Sequence, residues 1–362
     1  MKNIKLALQI LTLAVLLYSC DDMHDVSREV SPVANETTKS LIVLSEGLFN
    51  MNNSTLARYD FTTGTLTSDY FSAINKRGLG DTANDMIVYG SKIYVVVNVS
   101  SQVEIMDAAT GISLKRIPLF DEKNVARQPR YLVSQGKNIY VTNYDGYLSR
   151  IDTASLEITG EVKCGRNPEG LCVANNKIYV ANSGGLDFPK YDNTVSVIDI
   201  PSFSELRKVK VGTNPYKIFA DSQGDVYVCS KGDYDKESYR FMKIDSEIDQ
   251  VTEEFKGLNV LNFTIFNDKA YLYSYDFNKN DYWIKIFDCL TEKIIDEDFI
   301  KDKSQIQTPY SIQVNPYDEN IYITDAIDFM NWGDIVCFDN DGKLKFKIKE
   351  IGLNPNKILF RN

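Results

Sequence analysis

A short apolar run closing on aspartate recurs seven times, at Asp60, Asp107, Asp152, Asp199, Asp245, Asp288 and Asp339, with spacings of 47, 45, 47, 46, 43 and 51 residues. A period of that size limits the fold before any single residue is read, because each unit buries its apolar face against a copy of itself. Small, polar or turn-forming residues follow each aspartate, as in Thr62-Thr63-Gly64, Ala109-Thr110-Gly111, Pro201-Ser202 and Asn340-Asp341-Gly342. A strand-terminal Asp accepts a hydrogen bond from the amide two residues on and so fixes a tight turn. The series therefore predicts seven turns, not seven carboxylate sites.

Two further markers share the period. Ile93-Tyr94-Val95, Ile139-Tyr140-Val141, Ile178-Tyr179-Val180, Val226-Tyr227-Val228, Ala270-Tyr271-Leu272 and Ile321-Tyr322-Ile323 occupy one place in six repeats, and Leu41-Ile42-Val43 stands in the seventh. β-branched and aromatic runs without a polar break suit strands buried on both faces. A proline leads another apolar run at Pro129, Pro168, Pro215, Pro309 and Pro355, where a strand's first residue needs no N–H. One unit reads as four strands, in the third repeat Gly170–Ala174, Lys177–Asn182, Thr194–Asp199 and Glu205–Val211, and no helix is expected after residue 19. Four strands in about 46 residues, repeated, predict an all-β fold: a seven-bladed β-propeller of four-stranded blades. The first unit lacks its proline-led strand, while the chain ends on an unpartnered one, Asn354–Phe360. That C-terminal strand is expected to close the first blade and remove the open seam.

Charge and histidine narrow the function. The 362 residues carry 50 acids and 40 bases, for −10. Such a chain lacks the positive field that nucleic acid or anionic lipid heads require. Its one histidine, His24, precedes the repeats, so Ser-His-Asp hydrolysis, Cys-His chemistry and His-ligated metals are excluded from the domain. Cys164, Cys172, Cys229, Cys289 and Cys337 lack C-x-x-C spacing and sit mostly in apolar runs, which favours small buried hydrophobes over disulfides or metal ligands.

Residues 1–19 have the form of a secretory leader, with Lys2 and Lys5 before an apolar run, Leu6–Leu17, too short to span a bilayer permanently. Leu17-Tyr18-Ser19-Cys20 resembles the lipobox of bacterial lipoproteins, which implies lipidation of Cys20; the alternative is a secreted chain with a chance cysteine. Asp21, Asp22 and Asp25 resemble the export signal of surface lipoproteins in Bacteroides-type bacteria, and alternatively form only a solvated tether. The domain plan is leader 1–19, lipidated Cys and tether 20–39, and propeller 40–362. It implies an outer-membrane protein held by its lipid anchor and facing the cell exterior.

Asn167-Pro168-Glu169-Gly170, Ile178–Asn182 and Val195–Asp199 resemble YVTN-type propeller repeats. Leu44-Ser45-Glu46-Gly47-Leu48-Phe49, Leu79-Gly80-Asp81 and Asp325-Ala326-Ile327-Asp328-Phe329 resemble, more closely, a family of lipid-anchored seven-bladed surface propellers of Bacteroides-type bacteria. That family includes proteins that bind vitamin B12 and pass it to a TonB-dependent outer-membrane transporter. The resemblance covers roughly residues 40–362 and implies a fold more firmly than a ligand.

In a propeller, the loops between blades and those between the second and third strands share one rim around the channel, and rigid sheets hold them in position. The expected rim is aromatic, with Phe49, Tyr144, Phe188, Tyr191, Tyr234, Tyr275, Phe277, Tyr282, Phe329 and Trp332, to which Tyr216 and Tyr310 add the interblade loops. Each ring either packs on its own blade or faces a partner; together they suggest a recognition surface. Arg77, Arg127, Arg130 and Arg166 fall in consecutive blades and either form surface ion pairs or meet amides, a phosphate or a carboxylate. The Asp-rich loops Asp233-Tyr234-Asp235 and Asp276–Asp281 lack the spacing of a calcium cage, so no metal and no cofactor is expected. The leading expectation is a binding module that captures a small nutrient, with a corrinoid the ligand implied by the resemblance. The alternatives are a glycosidase or lyase using carboxylates such as Asp325 and Asp328, and an adhesion scaffold whose rim binds protein.

Overall fold

A computed structural model describes residues 38–362. The leader, Cys20, the acidic triplet and His24 lie outside the described residues. Twenty-eight strands, numbered β1–β28 in chain order, form seven antiparallel sheets of four. The third repeat gives β12–β15 at Pro168–Ala174, Lys177–Asn182, Thr194–Asp199 and Ser204–Lys210, each within two residues of the expected bounds. The first strand of each blade lies innermost, so β4 (Ala83–Tyr89), β8 (Pro129–Gln135), β12, β16 (Pro215–Ala220), β20 (Asn262–Phe266), β24 (Pro309–Val314) and β28 (Pro355–Arg361) neighbour one another around a channel. Blade 1 has the order β28-β1-β2-β3, with β1 at Ser40–Ser45, β2 at Thr55–Asp60 and β3 at Thr65–Thr67, so the C-terminal strand does close the ring. Its register runs from Ser40 opposite Arg361 to Ser45 opposite Pro355.

The core lies between blades. One cluster joins Tyr179 and Val197 of blade 4 to Ile218 and Met242 of blade 5, and another joins Leu44 and Leu56 of blade 1 to Met86 and Val95 of blade 2. The repeated tyrosines Tyr94, Tyr140, Tyr179, Tyr227 and Tyr322 are fully buried, which explains their place in nearly every unit. Each contributes on the order of 1.5–3 kcal/mol by leaving water. All five described cysteines are buried free thiols, and burial pushes Cys164 and Cys289 up to about 12, so none is a thiolate at neutral pH.

One expectation fails. A helix, α1, spans Tyr70–Asn75 between the outer strand of blade 1 and the inner strand of blade 2. Asp69 caps it by accepting from Ser72 N, Tyr70 and Phe71 face inward, and Lys76 ends it in the left-handed region. Six residues carry less than two turns, too few for a 3.6-residue period to emerge from a β pattern.

The aspartate series forms turns throughout. A carboxylate oxygen accepts from backbone amides two to four residues ahead at Asp60, Asp107, Asp152, Asp199, Asp245, Asp288 and Asp339. Hydrogen bonds from Thr110, Ser155, Ser202 and Thr291 hold Asp107, Asp152, Asp199 and Asp288 below the ordinary value of 3.8. A carboxyl depressed in the fold adds stability above its unfolded pKa and loses it as the pH falls through its folded one. Melting temperature should therefore hold steady from neutral pH to about pH 4 and fall steeply below it. A melting temperature independent of pH between 5 and 2.5 would contradict this.

Candidate functional site

Each inner strand starts at the channel mouth, and the residue after its leading position reaches the axis. These residues are Asn84, Arg130, Glu169, Tyr216, Tyr310 and Asn356 in six blades. A hydrogen-bonded chain links five of them. Tyr310 donates its hydroxyl to Glu46 Oε2 at 2.7 Å, and Asn356 and Asn84 donate side-chain amides to Glu46 Oε1 at 2.7 and 3.0 Å. Arg130 Nη1 donates to Asn84 Oδ1 at 2.6 Å and its Nε to Glu169 Oε2 at 2.9 Å. Tyr144 donates to Glu169 Oε1 at 2.5 Å. Glu46 and Glu169 thus act as fixed acceptors, with donors from several blades.

Cations and rings alternate beside this chain. The Arg130 guanidinium lies 4.8 Å from the Tyr144 ring centre and 5.5 Å from that of Tyr131. Lys217 Nζ sits 4.1 Å from the Tyr131 centre, and Lys231 Nζ lies 3.5 Å from that of Tyr216. The Tyr131 hydroxyl donates to the Tyr216 hydroxyl at 2.8 Å, across the channel from blade 3 to blade 5. Burial opposes the charge of Arg130, but Glu169 and the tyrosines hold it well above its ordinary value. Burial, reinforced by Glu169, pushes the Tyr144 hydroxyl well up, so it remains a donor at neutral pH. Gly170 sits where other blades place Tyr131 or Lys217, because a Cβ there would lie 2.6 Å from the Tyr216 carbonyl oxygen.

Beneath the mouth a cavity of about 220 Å³ opens among β16, β20, β24 and β28, with Lys217, Asn262, Gln313, Asn356 and Lys357 in its wall. On the rim between blades 3 and 4, Tyr144, Asp145, Arg166, Asp187 and Asp192 border a crevice of about 370 Å³.

The rim aromatics fall into two runs. Phe188, Tyr191 and Tyr234 stand edge to face at 6.1 and 5.9 Å across blades 4 and 5. Tyr275, Phe277, Phe329 and Tyr310 follow at 4.8, 6.3 and 5.8 Å across blades 6 and 7. Phe49 and Trp332 complete the rim at 69% and 45% exposed, so neither is consumed by packing. Tyr275 is buried, and half-buried Tyr282 spends its hydroxyl accepting from Ile306 N.

The four arginines do not converge. Arg77 holds both oxygens of buried Glu104, Arg127 pairs with Asp145 and Glu161 in blade 3, and Arg166 with Asp187 on its own rim. Only Arg130 reaches the axis. The acidic loops are turns as well: Asp233, Asp276, Asp325 and Asp328 each accept from backbone amides close by in the chain. Among the described residues no group of three His, Cys, Asp or Glu is arranged to hold a metal ion.

The sequence reading did not single out Glu46, Asn84, Tyr131, Glu169, Lys217, Lys231 or Asn356. Aligning the repeats on the leading proline would have exposed the axial position, since Arg130, Glu169, Tyr216, Tyr310 and Asn356 each follow it directly.

Fold and site together define a seven-bladed propeller with an aromatic rim over a polar, hydrogen-bonded channel mouth. The chain belongs to the family described as a domain of unknown function, DUF5074, which matches residues 39–356. Comparison with curated proteins finds no sequence match. A quinoprotein alcohol dehydrogenase-like protein of Bacteroides thetaiotaomicron is similar at 20% identity over 90% of this chain and 79% of its own, with a TM-score of 0.65. Hydrazine synthase of Kuenenia stuttgartiensis is similar at 18% identity over 70% and 74%, with a TM-score of 0.56. The computationally designed Ika8 protein is similar at 14% over 90% and 92%, also at 0.56. At such identities the likeness is one of fold.

Proposed function

We propose that this chain is a non-catalytic capture protein, anchored through Cys20 at the outer surface of the outer membrane, whose rim takes a broad amphipathic nutrient for a TonB-dependent transporter. The observation that carries the reading is the pair of aromatic runs on one rim, Phe188-Tyr191-Tyr234 and Phe277-Phe329-Tyr310, the second backed by buried Tyr275. Rigid rings give large contact area at low entropic cost. A corrinoid suits such a rim: its macrocycle presents apolar faces, and its peripheral amides and phosphate accept from Tyr and Arg donors. The family resemblance supports the same ligand, and binding it requires no histidine, metal ligand or nucleophile.

Calorimetric titration of cyanocobalamin into the purified protein should give a saturable one-to-one isotherm. Tyr191→Ala and Phe329→Ala, each removing the middle ring of a run, should cost about 2 kcal/mol apiece, roughly thirtyfold in affinity. Phe49→Ala at the periphery should change little. No heat and no shift in melting temperature at a hundredfold ligand excess would remove the corrinoid reading.

A further inference from the structure

We propose that the cavity beneath the channel mouth is a second binding site, separate from the rim, which takes one small oxyanion, a carboxylate or a phosphate, on Lys217 and Lys357. The site and its test do not depend on the rim reading.

The charge count around the axis carries the argument. Among the described residues, the carboxylates that act on Arg130, Lys217, Lys231 and Lys357 are Glu46, Asp85 and Glu169, one fewer than the cations, in a chain of net charge −10. The three carboxylates are already committed. Glu46 accepts from Tyr310, Asn84 and Asn356, Glu169 from Arg130 and Tyr144, and Asp85 pairs with Lys357 at 3.1 Å while accepting from Leu132 N. Among the described residues Lys217 has no carboxylate in ion-pair contact; its ammonium rests over the rings of Tyr131 and Tyr216 at 4.1 and 5.2 Å. A half-buried ammonium with ring faces and no carboxylate for company is more costly than a paired one, and an anion in the cavity would offset that. Burial lowers Lys217 to about 8, Asp85 counters that and Lys357 adds to it, so the ammonium is still mostly charged at pH 7 and a bound anion would favour that form.

The wall fits the same ligand. Lys217 and Lys357 both border the cavity, and about 220 Å³ accommodates a three- or four-carbon acid or a phosphate but not a macrocycle. Asn356 is another wall residue, and its Oδ1 is buried without a donor.

Sodium lactate and sodium phosphate, each against sodium chloride at matched ionic strength, are the probes, titrated into the purified protein by calorimetry and thermal shift. At pH 7 at least one should bind saturably at one per chain, and the arm that binds identifies the oxyanion. Lys217→Met should weaken that binding at least tenfold. The variant removes a half-buried charge that has no carboxylate partner, so without anion it should melt no lower than the parent at pH 7. Affinity should also fall at least tenfold between pH 7 and 9.5 as Lys217 loses its proton. Facing Lys217 are Arg130 and Tyr131 on β8, Glu169 on β12, Asp85 on β4, Lys357 on β28, the adjacent Tyr216, and Cys229 in the next strand of blade 5, which burial pushes up to about 11. Of these, Arg130, Tyr131 and Tyr216 are held above that range. Burial also lowers Lys231, so Lys231→Met is the control and should keep the pH profile. No saturable binding of either probe, undiminished binding by Lys217→Met, or an affinity constant from pH 7 to 9.5 would overturn the site. Cyanocobalamin titrations of the same preparations report on the rim separately.

Discussion

Removing Pro355–Asn362 unfolds the whole ring instead of loosening one blade. β28 supplies the inner edge of blade 1, pairing with β1 from Ser40–Arg361 to Ser45–Pro355. The same strand buries Ile358, sets Phe360 edge-on to Tyr322 of blade 7 at 4.9 Å, and brings Asn356 to Glu46 at the channel mouth. Without it β1 becomes an unpaired edge, and blades 7 and 1 lose their shared inner contacts. Each lost backbone bond is worth about 1 kcal/mol net and each exposed large apolar side chain about 1.5–3 kcal/mol. Together these are comparable with the roughly 5–15 kcal/mol that stabilises a folded domain. The truncated protein should lack a sharp thermal transition and bind a hydrophobic dye at 25 °C. A parent-like single transition at an unchanged temperature would show that the ring holds without its closing strand.

The fold was legible because a propeller repeats its backbone chemistry. Turn aspartates, buried tyrosines and leading prolines perform the same task in every blade, so each copy reinforces the reading of the others. The site was less legible for the opposite reason. At the axial position the blades carry different residues, among them Asn84, Arg130, Glu169, Tyr216, Tyr310 and Asn356, whose meaning lies in which neighbour each meets. Glu46 lies beyond β1, yet it accepts from Asn356, 310 residues away. Such a pairing follows from ring closure and not from any local pattern. The rim aromatics were visible as composition, while their division into two runs depends on the paths of the loops. Helix α1 escaped because it is short and its buried residues, Tyr70 and Phe71, look like those of a strand.

The arginines show most plainly what spacing leaves undecided. Arg77, Arg127, Arg130 and Arg166 look alike in a row of blades, but their partners come from neighbouring strands and loops. Glu161 reaches Arg127 from the outer strand of blade 3, and Asp187 reaches Arg166 from a rim loop. Arg130 alone is drawn to the axis, because Glu169 follows the next blade's leading proline and waits there at 2.9 Å. A cation in an acidic chain finds a carboxylate nearby more readily than it stays free for a ligand.

Arg77→Ala should destabilise the fold by about 3 kcal/mol. Glu104 is fully buried, and Arg77 Nη2 meets its two oxygens at 2.8 and 2.9 Å while bonding Ser113 Oγ at 2.9 Å. The guanidinium also lies over the Phe71 ring at 4.9 Å, which ties α1 to blade 2. Truncation strands the carboxylate, since Ser113 gives one hydrogen bond and Arg116 approaches only to 3.6 Å. Arg77 is 31% exposed, so solvent screens part of the pair and the loss should sit at the low end of the usual 3–5 kcal/mol for breaking a buried ion pair. Urea unfolding should therefore show Arg77→Ala well below the parent, and Arg77→Met with Glu104→Met recovering most of the difference, because the stranded charge is gone. Cyanocobalamin affinity, measured per folded molecule, should stay unchanged, because this arginine's hydrogen bonds are spent inside the scaffold. A stability loss below about 0.5 kcal/mol would mean that Arg116 and Ser113 suffice for Glu104, and that Arg77 is free for a partner after all.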